Sequence, residues 1–211
     1  ATEVCLQGGI HPDYTGQTYL DILRTVREAS ADMHIHAFSP LEIDQGAHTL
    51  GMPIPDYLAL LKEAGLGSLP GTAAEVLDER VRAILCPDKV SSQRWLDIME
   101  AAHGLGLRST ATIMFGHVDD PQAWVEHWQR VIALQQRTGG FTEVVPLPFV
   151  SAGAPIYRRG LSRPGPTWRE AVLMHAVLRL TVGAVIPNVQ ASWVKLGREG
   201  ALQMLSCGAN D

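Results

Sequence analysis

Short apolar segments alternate with amphipathic helical segments along the chain, and this alternation limits the fold more than any other feature. Seven segments are typical of strands: EVCLQGG, MHIHAFSP, GLGSLPG, LRSTATIMFG, FTEVVPLPFV, NVQASWVKLG and CGAND. Apolar residues recur at helical spacing between them, over residues 18–30, 55–63, 73–85, 92–103, 120–139, 167–185 and 199–205. Because no hairpin signal joins two strands, we predict the α/β class, with parallel strands connected through helices.

Two architectures are built from such units: an open doubly wound sheet and a (β/α)8 barrel of the TIM type. Polar residues and glycines fall repeatedly where the strands end, which is where the sites of barrel enzymes are built, so we favour the barrel. A complete barrel needs eight strands and about 250 residues, whereas this chain has 211 residues. We therefore expect a single barrel domain over residues 1–211, incomplete at both ends and containing strands 2 to 8.

Charge and hydropathy argue against two classes of partner. The net charge is −5 and there is no long run of Lys and Arg, so a nucleic-acid partner is not expected. No apolar stretch reaches the roughly 18 residues that a membrane helix needs. The N-terminus lacks the pattern of a secretory signal peptide. We expect a cytoplasmic protein that binds neither nucleic acid nor membrane.

The three cysteines, Cys5, Cys86 and Cys207, are far apart and form neither a disulfide framework nor a CxxC metal motif. Cys5 lies in an apolar segment and is predicted to be a small core residue. No metal site is assigned to this chain from its cysteines.

Two polar features near the strand ends leave alternatives open. His34 and His36 lie on the same face of one strand, so both imidazoles could reach one metal ion, as in a metal-dependent barrel hydrolase. Gly8 and Gly9 follow the first strand without a dinucleotide or phosphate-loop pattern. They are consistent either with a tight turn or with a backbone that approaches a small polar ligand closely.

Eight segments together carry a resemblance to a known family: EVCLQGGIHPD, HAFSP, GLGSLPGTAAE, CPDK, LRSTATIMFGHVDDP, GGFTEVVPLPFV, PNVQASWVKLG and GAND. In this order they resemble the radical S-adenosylmethionine (radical SAM) enzymes that make F0, the deazaflavin core of coenzyme F420, and among these the tyrosine-using 4-hydroxyphenyl transferases. The resemblance covers essentially the whole chain. It implies a radical SAM transferase that joins the 4-hydroxybenzyl fragment of L-tyrosine to 5-amino-6-(D-ribitylamino)uracil.

The resemblance also implies which residues hold the cofactor and the substrates. Residues that match the S-adenosylmethionine site are Gln7, Gly8, Gly9, Ser68, Glu75, Thr112, Met114 and Gly116. Residues expected near the substrates are His36, Ser39, His117, Glu143, Asn188, Gln190 and Trp193. No catalytic residue is assigned. The family further implies a 4Fe–4S cluster, a companion radical SAM half or subunit, and a reductant such as ferredoxin or flavodoxin.

One departure from the family concerns the cluster. The family holds it on a CxxxCxxC loop after the first strand, and no such spacing occurs in this chain. We expect the cluster ligands to lie upstream of Ala1 and this fragment alone to be inactive. Three alternatives stay open: a radical SAM enzyme of the futalosine menaquinone pathway, the metal-dependent hydrolase and an inactive fragment.

Overall fold

The architecture is that of a computed structural model, which describes residues 1–211. Six parallel strands form one sheet in the order of the sequence, from β1 to β6. They are β1 (Glu3–Leu6), β2 (His34–Ala37), β3 (Ser68–Leu69), β4 (Arg108–Phe115), β5 (Phe141–Pro148) and β6 (Asn188–Val189). Nine helices lie between or after the strands: α1 (Gly16–Ala29), α2 (Pro40–Leu50), α3 (Ile54–Glu63), α4 (Glu79–Leu85), α5 (Ser92–Gly104), α6 (Pro121–Thr138), α7 (Pro155–Arg158), α8 (Trp168–Thr181) and α9 (Trp193–Leu205). The predicted α/β class with parallel strands is confirmed.

The sheet is curved but does not close, because β1 and β6 are its two edges. Curvature brings side chains of distant strands together: Glu3 on β1, Glu143 on β5 and Asn188 on β6 line one cavity. The main core lies between the sheet and the helices, and its largest fully buried side chains include Trp95, Tyr57 and Phe115. The opposite face of the sheet is polar and encloses a cavity. This strand order and curvature are those of an open segment of a (β/α)8 barrel.

Three predicted elements differ from the structure. CGAND is not a seventh strand, although the Asn210 amide donates to the Val189 carbonyl and the Ala191 amide to the Asp211 carbonyl, 2.9 and 2.7 Å away. The segment NVQASWVKLG forms a strand only over its first two residues, and Trp193 begins α9. The helix predicted over residues 73–85 begins at Glu79, because Asp78 caps it by accepting a hydrogen bond from the Arg80 amide.

Helix α2 was absent from the prediction, although its N-terminus carries a recognisable signal. Ser39 precedes Pro40, and Glu42 follows three residues after Ser39, which is the sequence of a capping box. The Ser39 hydroxyl and amide both donate to the Glu42 carboxylate, at 2.7 and 2.8 Å. None of the helices is long and apolar enough to cross a membrane.

Candidate functional site

The concave face of the sheet encloses a polar cavity of about 700 Å³, called here the inner cavity. Every strand contributes to it through the side chains that point away from the helices. Its lining includes Glu3, Cys5, Gln7, His34, His36, Ser68, Thr72, Arg108, Thr110, Thr112, Glu143, Asn188 and Gln190. Several of these side chains are exposed, so the cavity is open to solvent. Its many donors and acceptors suit a ligand that makes hydrogen bonds.

The predicted residues Ser68 and His36 meet within the inner cavity. The Ser68 hydroxyl lies 2.7 Å from Nδ1 of His36 and 2.8 Å from Nε2 of His34. Burial lowers the pKa of His36, which favours the neutral form of its imidazole. Ser68 thus bridges the two imidazoles that the metal-pair alternative assigned to an ion. No three His, Cys, Asp or Glu side chains in residues 1–211 form a group that could hold a metal ion.

Glu143 lies deeper than its predicted position at a strand end. It is the third of eight residues in β5 and pairs with Thr110 on β4 and Asn188 on β6. Burial raises the pKa of Glu143, and the nearby carboxylate of Asp211 raises it further. The Asn188 side-chain amide donates to the Thr142 carbonyl at 3.0 Å. Glu143 therefore offers a carboxyl group with a raised proton affinity inside the cavity.

Thr112 also faces the inner cavity, but its hydroxyl is used within the protein. It donates to the Gly71 carbonyl at 2.6 Å, and the Gly71 amide donates to the Thr110 hydroxyl at 2.8 Å. A Cβ atom on Gly71 would lie 2.5 Å from the Thr110 carbonyl oxygen. Glycine is thus required for the segment after β3 to lie directly on β4, and this contact sets the position of residues 72–75.

A second cavity of about 740 Å³ lies beyond the carboxyl ends of β1, β2 and β3, and we call it the rim cavity. Gln7, Gly8 and Gly9 line it together with Ser39 and Glu75, and Gln7 also lines the inner cavity. Most of its charged groups are acidic: Glu42, Asp44, Glu75 and Asp88, with Lys89 as the cation. Five of the fifteen predicted site residues therefore border this cavity.

The double glycine lies in an irregular segment after β1 that is tied to α2. The Gly8 amide donates to Glu42 Oε1 at 3.1 Å, while the carbonyls of Gly8 and Gly9 accept no hydrogen bond from the protein. Burial raises the pKa of Glu42, and its hydrogen bonds to Ser39 and Gly8 oppose that shift. No hydrogen-bonded turn closes over Gly8 or Gly9, so the tight-turn explanation is wrong. The segment borders an acidic cavity and leaves two carbonyl oxygens without a partner in the protein, and its contact with a ligand stays a prediction.

Four predicted site residues line neither cavity: Met114, Gly116, His117 and Trp193. The ring of His117 is buried between its partners, with Nε2 at 2.9 Å from the Met114 carbonyl and Nδ1 accepting from the Val118 amide at 2.7 Å. A Cβ atom on Gly116 would lie 2.3 Å from Pro166. Trp193 is 69% exposed at the start of α9. The structure gives these residues contacts of their own, away from both cavities.

The cysteines do not fit an iron–sulfur cluster. Cys5 is exposed and lines the inner cavity, so its predicted place in the core is wrong: β1 is an edge strand, and Cys5 points to its concave face. Cys86 is buried, and burial raises the pKa of its thiol, whereas a cluster ligand must be a thiolate. Cys207 is half-buried in a different part of the chain.

Sequence reasoning missed several residues that line the cavities: Glu42, Lys89, Arg108 and Thr110. The capping-box spacing of Ser39 and Glu42 was a signal for the first. The other three lie in the segments CPDK and LRSTATIMFG, which carry the family resemblance, but a single Lys, Arg or Thr there has no pattern that separates it from a solvated residue. Their places depend on how β3, β4 and the loop after α4 pack together.

Comparison with solved structures gives the class to which the fold belongs. HydG, a maturase of the FeFe hydrogenase, matches 99% of this chain and 44% of its own, with a TM-score of 0.67 and 14% identity. At that identity the likeness concerns the fold alone. The chain thus has a parallel α/β fold shared with HydG, with polar cavities on the concave face and at the carboxyl ends of the strands.

Comparison with curated proteins is more specific. All 211 residues align at 53% identity with the FO synthase of Streptomyces coelicolor. They align at 51% and 46% with proteins named 5-amino-6-(D-ribitylamino)uracil–L-tyrosine 4-hydroxyphenyl transferase from Methanopyrus kandleri and Methanothermobacter thermautotrophicus. The chain is therefore a homologue of these proteins over its entire length. It spans 24% of that FO synthase and 57–58% of the two transferases. No protein-family model matches it.

Proposed function

We propose that the chain is part of a radical SAM enzyme of F0 biosynthesis. The enzyme breaks the Cα–Cβ bond of L-tyrosine and joins the 4-hydroxybenzyl fragment to 5-amino-6-(D-ribitylamino)uracil. The observation that carries this proposal is the identity of about one residue in two, across all 211 residues, with proteins named for that transfer. Because the chain spans little more than half of those relatives, the activity is proposed for the full-length protein.

The inner cavity supports a substrate rich in hydroxyl and amide groups. Donors and acceptors from every strand face it. A ribityl chain with a uracil ring needs many such partners to replace the hydrogen bonds that it makes to water. We assign His36, Glu143, Asn188 and Gln190 to this substrate. Ser68 orients His36 through their hydrogen bond, and the neutral imidazole is able to accept a proton from a substrate group.

The rim cavity supports S-adenosylmethionine, whose ammonium and sulfonium groups are cationic. Its carboxylates and the free carbonyls of Gly8 and Gly9 are acceptors suited to such charges. We assign Gln7, Gly8, Gly9 and Glu75 to the methionyl end of this cofactor. When bound and reduced, it supplies the radical that starts tyrosine cleavage. The Gly8 and Gly9 carbonyls would accept hydrogen bonds from its ammonium, and the bond from the Gly8 amide to Glu42 would hold this segment in place.

The 4Fe–4S cluster does not fit the cysteines of this chain, so no step is derived through it. We propose that its ligands come from residues outside 1–211, and that a companion radical SAM half and a protein reductant complete the reaction in the cytoplasm. Residues 1–211 then form one incomplete barrel domain of a longer protein.

The test is an anaerobic assay of the full-length protein with S-adenosylmethionine, L-tyrosine, 5-amino-6-(D-ribitylamino)uracil and a reductant. We expect 5′-deoxyadenosine and a 4-hydroxybenzyl adduct of the uracil, both of which require tyrosine. An enzyme of the futalosine route would leave tyrosine unconsumed, and a hydrolase would form no 5′-deoxyadenosine. Either of these results would contradict the proposal.

A further inference from the structure

A buried arginine holds the segment that forms one wall of the rim cavity. Arg82, on α4, is 2% exposed. It forms no direct ion pair, although its charge helps to lower the pKa of Glu79. Its guanidinium instead donates to the carbonyls of Ala74 and Val90, with longer contacts of 3.5 Å to Ala73 and Val76. Burying a charge without a counterion is costly unless its hydrogen bonds are made. Here the backbone of residues 73–76 and 90 makes them.

The same segment has an unusual backbone. Ala73 and Glu75 have φ angles of 61° and 48°, in the left-handed region that residues with a side chain rarely adopt. Such conformations persist when the surrounding contacts enforce them, and they occur preferentially at functional sites. The enforcing contacts are the Arg82 guanidinium and the Met114 amide, which donates to the Glu75 carbonyl at 2.8 Å.

Arg82 also joins the two sides of the wall. Residues 73 and 75 lie on one side and residues 89 and 90 on the other, and all four line the rim cavity. The two sides also form an ion pair, in which the Lys89 ammonium lies 2.6 Å from the Glu75 carboxylate. Both side chains remain partly exposed, at 33% and 17%. The carboxylate of Glu75 thus keeps access to a ligand while its backbone is fixed from the protein side.

We propose that Arg82 is a positioning residue of the rim cavity, which fixes Glu75 for contact with a cationic ligand. The inference rests on the proposed function, because S-adenosylmethionine supplies the cation. Arg82 itself does not touch the ligand. Arg82 holds residues 73–76 in place before the ligand binds. Ligand binding therefore does not carry the free-energy cost of ordering them.

Arg82→Lys in the full-length protein tests this, with Arg27→Lys as the matched control. Arg27 also donates to three carbonyls, those of Ala31, Met33 and Gly65, but it lines neither cavity. For Arg82→Lys we expect the Kd for S-adenosylmethionine, measured by equilibrium dialysis, to rise about tenfold, the effect of losing one or two well-made hydrogen bonds. Its KM should rise in parallel while kcat at saturation changes less than about twofold. For Arg27→Lys we expect a lower unfolding midpoint with an unchanged Kd.

A lower unfolding midpoint with an unchanged Kd for Arg82→Lys would overturn the inference and leave the proposed function intact. Equal increases of the Kd in both variants would do the same, because the effect would then be general destabilisation. If Arg82→Lys does not fold, Glu75→Gln replaces it, and an unchanged Kd there refutes the assignment. Failure of the wild-type protein to bind S-adenosylmethionine would instead contradict the proposed function and the ligand together.

Discussion

Replacing Glu42 by Ala should destabilise the chain more than loss of an ordinary helix cap. Glu42 is buried and accepts three hydrogen bonds, from the Gly8 amide at 3.1 Å and from the Ser39 amide and hydroxyl at 2.8 and 2.7 Å. Loss of a cap typically costs about 1 kcal/mol, and a hydrogen bond to a charged group contributes about 1.5–3 kcal/mol. Burial of the carboxylate offsets part of this, so we expect a net loss of about 2–3 kcal/mol.

Urea unfolding of the 211-residue chain measures this loss as a lower midpoint with an unchanged slope. Glu170→Ala is the control, since Glu170 forms the same capping box with Thr167 at the start of α8 but takes its remaining bond from the partly exposed Arg163 guanidinium rather than from a loop amide. Its expected cost is about 1–2 kcal/mol, the cap together with a partly exposed ion pair. A loss for Glu42→Ala no larger than about 1 kcal/mol would refute the reasoning, because the Gly8 bond would then contribute nothing beyond the cap.

Two further predictions concern packing and pH. Gly46→Ala should cost about 2–3 kcal/mol of stability by overpacking, because its Cβ would lie 2.4 Å from the Tyr57 hydroxyl. The Cβ of Gly104→Ala meets nothing within 4 Å, so this variant should be neutral or stabilising. The urea midpoints of the two variants test this difference. Burial lowers the pKa of His103 from 6.5 to about 4. The contribution of its neutral side chain to the free energy of unfolding is therefore complete above pH 6.5 and is lost as the pH falls toward 4. His103→Gln should therefore flatten the fall in stability across that window by about 1–2 kcal/mol, allowing for partial exposure, and an unchanged slope would contradict the assignment.

The alternation of strands and helices was sufficient to predict the α/β class, because buried parallel strands leave a strong apolar pattern. Strand ends were harder to predict. Glu143 was predicted at the end of its strand but lies third of eight residues in β5, since TEVVPLPFV has no polar residue that marks where the strand stops. Residues 73–78 have helical composition but are not helical, and the carbonyls of Ala73, Ala74 and Val76 accept from the buried Arg82 guanidinium instead of from helical amides.

The double glycine after β1 could be recognised as part of a site only through a set of eight segments, and its chemical setting could not be predicted from them. The bond from Gly8 to Glu42 joins residues 34 positions apart, and nothing local indicates such a contact. Gly116 and His117 follow a strand in the expected place, yet Pro166 and Met114 occupy their surroundings. Position along a strand predicts proximity to a site, whereas access to it depends on loops whose packing is not local.

The most direct test of the account is calorimetric titration of 5-amino-6-(D-ribitylamino)uracil into the full-length protein and two variants. Gln190 lines the inner cavity and its side chain has no partner in the protein, whereas Trp193, three residues later, lies outside. We predict that Gln190→Leu raises the Kd about tenfold, the effect of one or two lost hydrogen bonds, and that Trp193→Leu leaves it within about twofold. An unchanged Kd for Gln190→Leu, or an equal loss for Trp193→Leu, would contradict the placement of the substrate in the inner cavity.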